Sequence, residues 1–296
     1  MTALLDPTAP LTATGNLRRR EAISRLVRGC TTAATLIAVA VLVLVVYGVF
    51  SRGVSALSLG FLTEDLPEPG HAGGGIGPAL LGTAMLALAA TLIAMPLGVL
   101  IALYASEFAG ARVANAIRLV LDLMYGLPTI IIGLFVFGLM VNHHHQSGIA
   151  GAVGLSIVML PLIARSTQEV LALVPHTLRE ASEALGMSRW RTVGGVVLPA
   201  ASGGIVTGTI LAGARAAGET APLLLATTVF ANGYTLDFFG KAVPNIPIMI
   251  FTLSEEASPI GFTRAWGAAF VLLVFILLAN IGARALLARS RAKMAR

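Results

Sequence analysis

The chain of 296 residues is 56% hydrophobic and only 11% charged, and its mean hydropathy is +0.87. Soluble proteins carry about 25% Asp, Glu, Lys and Arg, so this composition excludes an ordinary soluble domain and a disordered chain. The net charge is +6, and because the basic residues flank long apolar runs, they indicate a membrane protein rather than a nucleic-acid-binding protein.

Six apolar stretches are long enough to cross a hydrocarbon core as helices, which takes about 20 residues. They lack the alternating pattern of barrel strands, so we expect an all-α membrane protein with six transmembrane helices. The predicted spans are Cys30 to Phe50, Ala79 to Tyr104, Leu119 to Val141, Gly148 to Ala164, Ser202 to Leu225 and Ala265 to Leu287.

Most of the basic residues lie in alternate connections between the predicted spans. With the amino terminus inside, these connections are cytoplasmic, as in other membrane proteins. We therefore expect residues 1–29 to form a cytoplasmic amino-terminal segment, residues 30–287 a six-span domain and residues 288–296 a cytoplasmic tail. The first stretch is longer than a signal-peptide core and has no small-residue cleavage site before Ser51, which favours a retained span.

The outer connections contain little that points to a cofactor or a metal. The glycine run Gly73–Gly75 lacks the Gly-Lys-Ser or Gly-Lys-Thr of a phosphate-binding loop. His143–His145 are consecutive, which favours a solvated polar turn over a metal site. The longest connection, residues 226–264, is interrupted by prolines, and we expect it to form either an interfacial helix or a lid over the outer mouth.

The cytoplasmic connection of residues 175–199 contains the signals of a short helix. Thr177 and Glu180 have the spacing of a capping box, which predicts a helix that begins just after His176. Glu180 has two compatible interpretations. It can cap this helix, or it can pair as an exposed carboxylate with a basic residue of a partner protein.

One face of this predicted helix is apolar, with Leu178, Ala181 and Leu185 at helical spacing. Gly186 follows at the position where a left-handed residue ends many helices, and a glycine also allows a partner to approach closely. A helix of about two turns is marginally stable alone, so we expect its apolar face to pack against another surface.

The same connection resembles the E-A-A loop of permeases of binding-protein-dependent ABC importers. Glu180–Ser182 is followed after three residues by Gly186, and after nine more by Val196–Pro199. The family pattern is E-A-A, three residues, G, nine residues, I-x-L-P. Ser182 and Val196 are mild departures from it, and the spacing is intact.

Two further stretches resemble the permeases of phosphate importers, of the PstA type. Gly213–Pro222 is similar to their fifth-span motif, and Gly126–Gly133 is similar to their third-span motif G-x-P-x-x-x-x-G. With the six-span layout, the likeness covers nearly the whole chain. It implies the fold of a type I ABC importer permease and a location in the inner membrane of a prokaryote.

The resemblance also implies a mechanism and a set of partners. Two permeases pair, here as a heterodimer with a PstC-type subunit, and a phosphate-binding protein delivers the substrate outside. ATP with magnesium is hydrolysed on a cytoplasmic ATPase dimer, so the chain itself binds no cofactor and is no enzyme. By this likeness Glu180, Ala181 and Gly186 are the residues that couple the permease to the ATPase.

Arg215 lies inside the fifth predicted span, and Glu219 follows on the same face of a continuous helix. An arginine at this depth costs about 2.5–3.5 kcal/mol on translocon scales and needs a partner. The two residues could be a permanent ion pair that only makes the span insertable. We favour a substrate path, in which arriving phosphate competes with Glu219 for the guanidinium.

Small residues and prolines within the predicted spans indicate how the helices pack. A small residue every fourth position lets two helices approach closely, which we favour over substrate contact, and a proline inside a span predicts a kink. The predicted packing residues are Gly204, Gly208, Gly213, Gly126, Pro128 and Gly133.

Two other functions remain open. One arginine and one glutamate fit any small oxyanion, so a permease for sulfate or molybdate is an alternative. A secondary anion transporter that works without ATP is another, and it would need no cytoplasmic partner.

Overall fold

The computed structural model describes residues 15–65, 73–142, 144–227, 233–256 and 258–294. These residues form helices and connections, without a strand. The chain separates into two compact units, residues 1–51 and residues 52–296. The predictions that concern residues 1–14, His143 and residues 295–296 lie outside the described residues.

Helix α1 (Gly15–Gly53) contains the described part of the first unit and ends just beyond it. It includes the first predicted span and continues it toward the amino terminus, where Arg25 contacts Glu21 at 2.7 Å. Leucine, isoleucine and valine side chains are exposed along its length, among them Leu36 and Leu44. A helix that is apolar on all sides suits an apolar environment such as lipid.

After the end of α1, the second unit contains a 3₁₀ turn (Val54–Ala56), the short helix α2 (Leu59–Thr63) and a helical bundle. π-helical turns extend three of the bundle helices, at Tyr104–Phe108, Phe137–Val141 and Val193–Val197. The bundle helices are α3 (Gly77–Leu103), α4 (Ala111–Gly126), α5 (Thr129–Val136), α6 (Gly148–Ala172), α7 (His176–Ala184), α8 (Arg189–Thr192), α9 (Leu198–Ala216), α10 (Ala221–Ala226), α11 (Ile246–Glu255) and α12 (Pro259–Met294).

Helices α3 and α6 lie side by side and run in the same direction through the core. Gly151 contacts Leu86 near their first ends, and Gly98 contacts Ile163 further along. A Cβ atom at Gly98 would lie 2.9 Å from Cγ2 of Ile163, so the missing side chain is what lets the backbones approach. Leu86, Ile163 and the neighbouring Met159 are buried in this contact.

Two of the predicted spans are broken in the structure. Five helices of the described chain are long and apolar enough to cross a membrane by themselves, and the pair α4 and α5, bent by 94°, makes a sixth when it is counted as one span. The fifth predicted span is wrong as a continuous helix, because α9 ends at Ala216 and α10 begins at Ala221. With the bent pair counted as one crossing, the predicted all-α fold with six transmembrane helices is confirmed.

The connection of residues 226–264, for which the sequence predicts an interfacial helix or a lid, contains the short helix α11, which is packed into the bundle. Asn245 is buried and caps α11, since its Oδ1 accepts a hydrogen bond from the Ile248 amide at 3.1 Å. The Ile246 amide donates to the Thr83 hydroxyl of α3 at 2.9 Å. Ile246, Ile248 and Leu253 are buried, so α11 belongs to the core of the second unit.

We expect Gly82→Ala to destabilise the second unit. A Cβ atom at this position of α3 would collide with the backbone oxygen of Pro244, which cannot rotate away. Overpacking costs about 1–3 kcal/mol, so the melting temperature of the purified chain in detergent should fall by about 2–10 °C.

Gly138→Ala is the matched control for this measurement. Among the described residues, nothing lies within 4 Å of a Cβ atom at Gly138, so its melting temperature should stay near that of the unchanged chain. Equal melting temperatures for the two variants would contradict the close approach of Pro244 to α3.

Candidate functional site

Arg215 lies at the carboxyl end of α9 and not inside a continuous span. The Gly218 amide bonds back to the Arg215 carbonyl at 3.0 Å, and the Glu219 amide bonds to the Ala216 carbonyl at 3.0 Å. These short-range bonds close the helix end. Pro222 has no amide hydrogen to donate to the carbonyl four residues earlier, so the α-helical pattern cannot continue through it.

Arg215 is nevertheless level with the middle of the neighbouring helices. Gly213 of α9 lies beside Met159 of α6 and Thr91 of α3, and both of these residues are near the midpoints of their helices. A Cβ atom at Gly213 would be 3.1 Å from the Thr91 hydroxyl. The end of α9 therefore places the Arg215 charge midway along the bundle.

The guanidinium of Arg215 makes long contacts with two side chains. Its Nε lies 3.9 Å from Oε1 of Glu219, and its Nη1 donates to the Tyr125 hydroxyl at 3.4 Å. Its Cζ lies 5.7 Å from the centre of the Tyr125 ring, within the range of a cation–π interaction. The Arg215 side chain is 54% exposed and that of Glu219 19%, so most guanidinium donors are open to a further acceptor.

The two helix breaks lie next to each other. Tyr125, which contacts Arg215, is at the end of α4 just before the bend, and Pro128 is the residue from which α5 starts. A Cβ atom at Gly133 of α5 would lie 2.9 Å from Cα of Pro222 in α10. The short helices α5 and α10 therefore pack backbone to backbone, with Arg215 beside their junction.

The glycines predicted to pack helices have different surroundings. A Cβ atom at Gly204 would lie 2.6 Å from Val170, and one at Gly208 would lie 2.5 Å from the Ser166 hydroxyl, both on α6. Gly126 differs, because no described residue lies within 4 Å of its Cβ position. Among the described residues Gly126 therefore has no packing partner, and it stands at the exposed end of α4.

The helix of the E-A-A loop begins two residues earlier than a capping box at Thr177 and Glu180 requires. Pro175 precedes the first residue of α7, His176, and no side chain caps the helix. The predicted capping box is therefore wrong, because Thr177 is already inside the helix. The Glu180 side chain is exposed and has no hydrogen-bond partner among the described residues.

Gly186 ends α7 in the left-handed conformation that its position predicts. Its φ is +74°. Its amide bonds to the Glu183 carbonyl at 2.9 Å, and the next amide, of Met187, bonds to the Ser182 carbonyl at 3.2 Å. This pair of bonds is a Schellman motif. The predicted apolar face remains uncovered, with Leu185 82% exposed and Leu178 and Ala181 exposed as well.

Sequence reasoning missed the buried contacts that hold α7 in place. Arg179 pairs with Glu107 at 2.8 Å, and both side chains are largely buried. The Ser182 and Thr192 hydroxyls are 2.8 Å apart and also buried. The partners are distant in sequence, and the available signal was a glutamate three residues beyond the second predicted span, close enough to the apolar run to need a partner.

A second ion pair joins α4 to α6. Arg165 contacts Asp122 and donates to the Arg118 carbonyl at 3.4 Å. The fourth predicted span ends at Ala164, whereas α6 continues to Ala172, so Arg165 lies inside the helix instead of at its end. Asp122 stood inside the third predicted span, and a carboxylate in an apolar run was the signal that could have revealed the pair.

In the described ranges, no group of three or more His, Cys, Asp or Glu side chains is arranged to hold a metal ion. The predicted turn at His143–His145 is described only in part, because His143 lies outside the described residues. Cys30 is an exposed free cysteine.

Residues 94–292 match the family described as the inner membrane component of binding-protein-dependent transport systems. The chain belongs to this family. The phosphate transport system permease protein PstA of Yersinia pestis is 35% identical over 252 residues, covering 84% of this chain and 85% of that protein. PstA of Haemophilus influenzae is 35% identical over 267 residues, covering 90% of this chain and 94% of that protein.

Solved structures share the fold at low sequence identity. A bacterial alginate ABC transporter, in complex with an alginate pentasaccharide-bound periplasmic protein, gives a TM-score of 0.60 at 16% identity, covering 89% of this chain and 97% of that chain. The inward-facing MetNI methionine ABC transporter gives 0.56 at 19% identity, covering 73% and 94%. The predicted type I ABC importer permease fold is therefore confirmed.

Membership of the family makes the chain a membrane permease subunit of an ABC importer. It is a multi-pass protein of the inner membrane. Such permeases work with an ATPase and a substrate-binding protein. The uncovered face of α7 and the exposed side of Arg215 are therefore the two surfaces to which a function has to be assigned.

We expect Gly186→Ala to loosen the end of α7. Alanine at a positive φ is strained by about 1–2 kcal/mol, which weakens the two bonds of the Schellman motif. Amide hydrogen exchange in the last turn of α7 should become about tenfold faster. Gly186→Asn is the matched variant, because asparagine tolerates this conformation better, and equal protection of α7 in both variants would contradict a strained alanine.

Proposed function

We propose that the chain is a PstA-type permease subunit that moves inorganic phosphate into the cell by alternating access. The work is done by ATP hydrolysed with magnesium on a separate ATPase subunit, and the permease has no catalysis of its own. The relatives named PstA support the substrate. The observation that carries the proposal is Arg215, a half-exposed guanidinium midway along the bundle, beside two helix breaks.

The contacts of Arg215 suit a site that an anion enters and leaves. At 3.9 Å the Glu219 carboxylate is beyond hydrogen-bond distance, so it lowers the cost of the isolated charge without occupying the guanidinium donors. Phosphate offers oxygens that match the planar fork of an arginine. Arriving phosphate then replaces Glu219 as the counter-charge of Arg215, and the carboxylate resumes that role on release, so the two residues form the substrate path.

Broken helices at membrane depth support the same assignment. Irregular backbone is tolerated there only where protein buries it or where it lines a polar cavity, and transporters use such breaks for substrate sites. In this chain α5 and α10 cover each other at Gly133 and Pro222. Gly204, Gly208 and Gly213 are proposed to keep α9 close to α6 and α3, so that Arg215 stays at this level.

The E-A-A loop is proposed to dock on the ATPase. The apolar face around Leu178, Ala181 and Leu185 is free to enter a cleft in the ATPase, Glu180 is free to pair with a basic residue, and Gly186 keeps the end of α7 compact. The loop of residues 175–199 is then cytoplasmic.

This assignment also orients the chain and names its partners. Both termini, with residues 1–29 and 288–296, lie on the cytoplasmic side of the six-span domain of residues 30–287, and the connection of residues 226–264 faces outward. A PstC-type permease completes a heterodimer, and a phosphate-binding protein docks outside.

Reconstitution tests the substrate and the energy source together. Proteoliposomes that contain this chain, the second permease and the ATPase, with the binding protein added, should accumulate labelled phosphate only when ATP is supplied. Uptake of sulfate or molybdate instead would identify another oxyanion permease. Phosphate flux in liposomes that contain this chain alone would favour a secondary transporter and would reject the proposal.

We expect Arg215→Gln to reduce ATP-dependent phosphate uptake at least tenfold, because glutamine provides neither the charge nor the fork. Arg215→Lys should keep part of the activity, since it retains the charge alone. Arg112→Gln is the matched control, because Arg112 is exposed in α4 and has no described hydrogen-bond partner. If the Arg215→Gln protein inserts and assembles normally and its uptake is unchanged, the substrate path is contradicted. The ion pair then serves only to make insertion of the span into the membrane possible.

A further inference from the structure

The π-helical turn at the end of α3 contacts both helices of the E-A-A loop. Glu107, only 8% exposed, pairs with Arg179 of α7 at 2.8 Å. The next residue, Phe108, stacks on Trp190 of α8, with ring centres 4.1 Å apart and planes at 27°. Arg189 lies 5.7 Å from the Phe108 ring. Two consecutive residues of one turn therefore contact two helices.

Arg179 adds a third element to this contact. Its guanidinium also donates to the Val174 carbonyl at 2.7 Å and to the Leu171 carbonyl at 3.1 Å, at the carboxyl end of α6. A buried ion pair with additional hydrogen bonds fixes geometry more strictly than an apolar contact. By contrast, the opposite face of α7 is exposed and free for a partner.

The α3 helix continues from this turn to the level of Arg215. Its residue Thr91 lies against Gly213, two residues before Arg215. A displacement of α7 that moves Glu107 is therefore carried along one helix, α3, to the residues around the Arg215 guanidinium. The E-A-A loop is also joined covalently to α6 before it and to α9 after it. The route through α3 is additional to these two.

We propose that Glu107 and Arg179 are positioning residues that transfer movement of the E-A-A loop to α3. The inference rests on the proposed function of an ATP-driven permease, and it adds a defined route of coupling through α3. The pair acts on the site through α3 and contacts no substrate itself. Without it, α7 still docks on the ATPase, but its movement no longer displaces α3 fully.

A distance measurement tests this transfer independently of the substrate. Spin labels are placed at Leu88→Cys in α3 and Leu278→Cys in α12, two exposed positions, in a Cys30→Ser background. In the assembled complex, trapping the ATPase with nucleotide should change the distance between the labels. Glu107→Gln and Arg179→Met should each reduce that change by at least half, whereas Arg179→Lys should retain more of it.

Transport provides the second measurement. Phosphate accumulated per ATP hydrolysed should fall at least fivefold in Glu107→Gln and in Arg179→Met, and no further in the double variant, because both changes break the same pair. Glu169→Gln and Arg112→Met are matched controls at exposed positions and should behave like the unchanged chain. Co-purification with the ATPase should be normal in all variants.

Three results would overturn the proposal. The first is a label distance that stays constant when nucleotide traps the ATPase in the complex with the original chain. The second is a full distance change in both single variants. The third is loss of ATPase co-purification in those variants, which would show that the pair only shapes the docking surface. A complex that shows the distance change but accumulates no phosphate would contradict the proposed substrate and leave the role of the pair standing.

Discussion

The arrangement of the second unit depends on the close parallel packing of α3 against α6. Glycines at positions 98 and 151 remove the side chains that would separate the two backbones. α9 then packs on α6 in the opposite direction, through Gly204 and Gly208. Because interiors tolerate little change in volume, these contacts fix the level at which α9 ends. The position of Arg215 is thus a consequence of helix packing far from its own side chain.

The two helix breaks are tolerable because they occur together. A break leaves backbone groups without their usual helical partners, and lipid offers none. Here the short helices α5 and α10 shield each other, and the side chains of Tyr125, Arg215 and Glu219 gather beside them. The helix breaks and this cluster of polar side chains therefore lie together, as a path for a charged substrate requires.

The sequence predicted the crossings well and the contacts between them poorly. Apolar length is a local property, so six runs of about 20 residues sufficed for the number of crossings, but not for the breaks in the third and fifth. The bend after Gly126 depends on tertiary neighbours, and Pro128 alone predicted only a kink. The E-A-A spacing located α7, but its start was misjudged because Pro175 and not Thr177 precedes the helix. Arg179 and Glu107 are 72 residues apart, which no local pattern can join.

The π-helical turn at Tyr104–Phe108 restricts how this part of the chain can vary in length. Such a turn holds one residue more than an α-helical turn. Loss of one residue before Glu107 would convert the wide turn into an α-helical turn, which keeps Glu107 and Phe108 near their present directions. Loss of a second residue would rotate both by about 100° and carry them away from their partners. This turn therefore tolerates at most one deletion, whereas Ala109 and Gly110, which follow it, form the place where a change in length leaves both contacts intact.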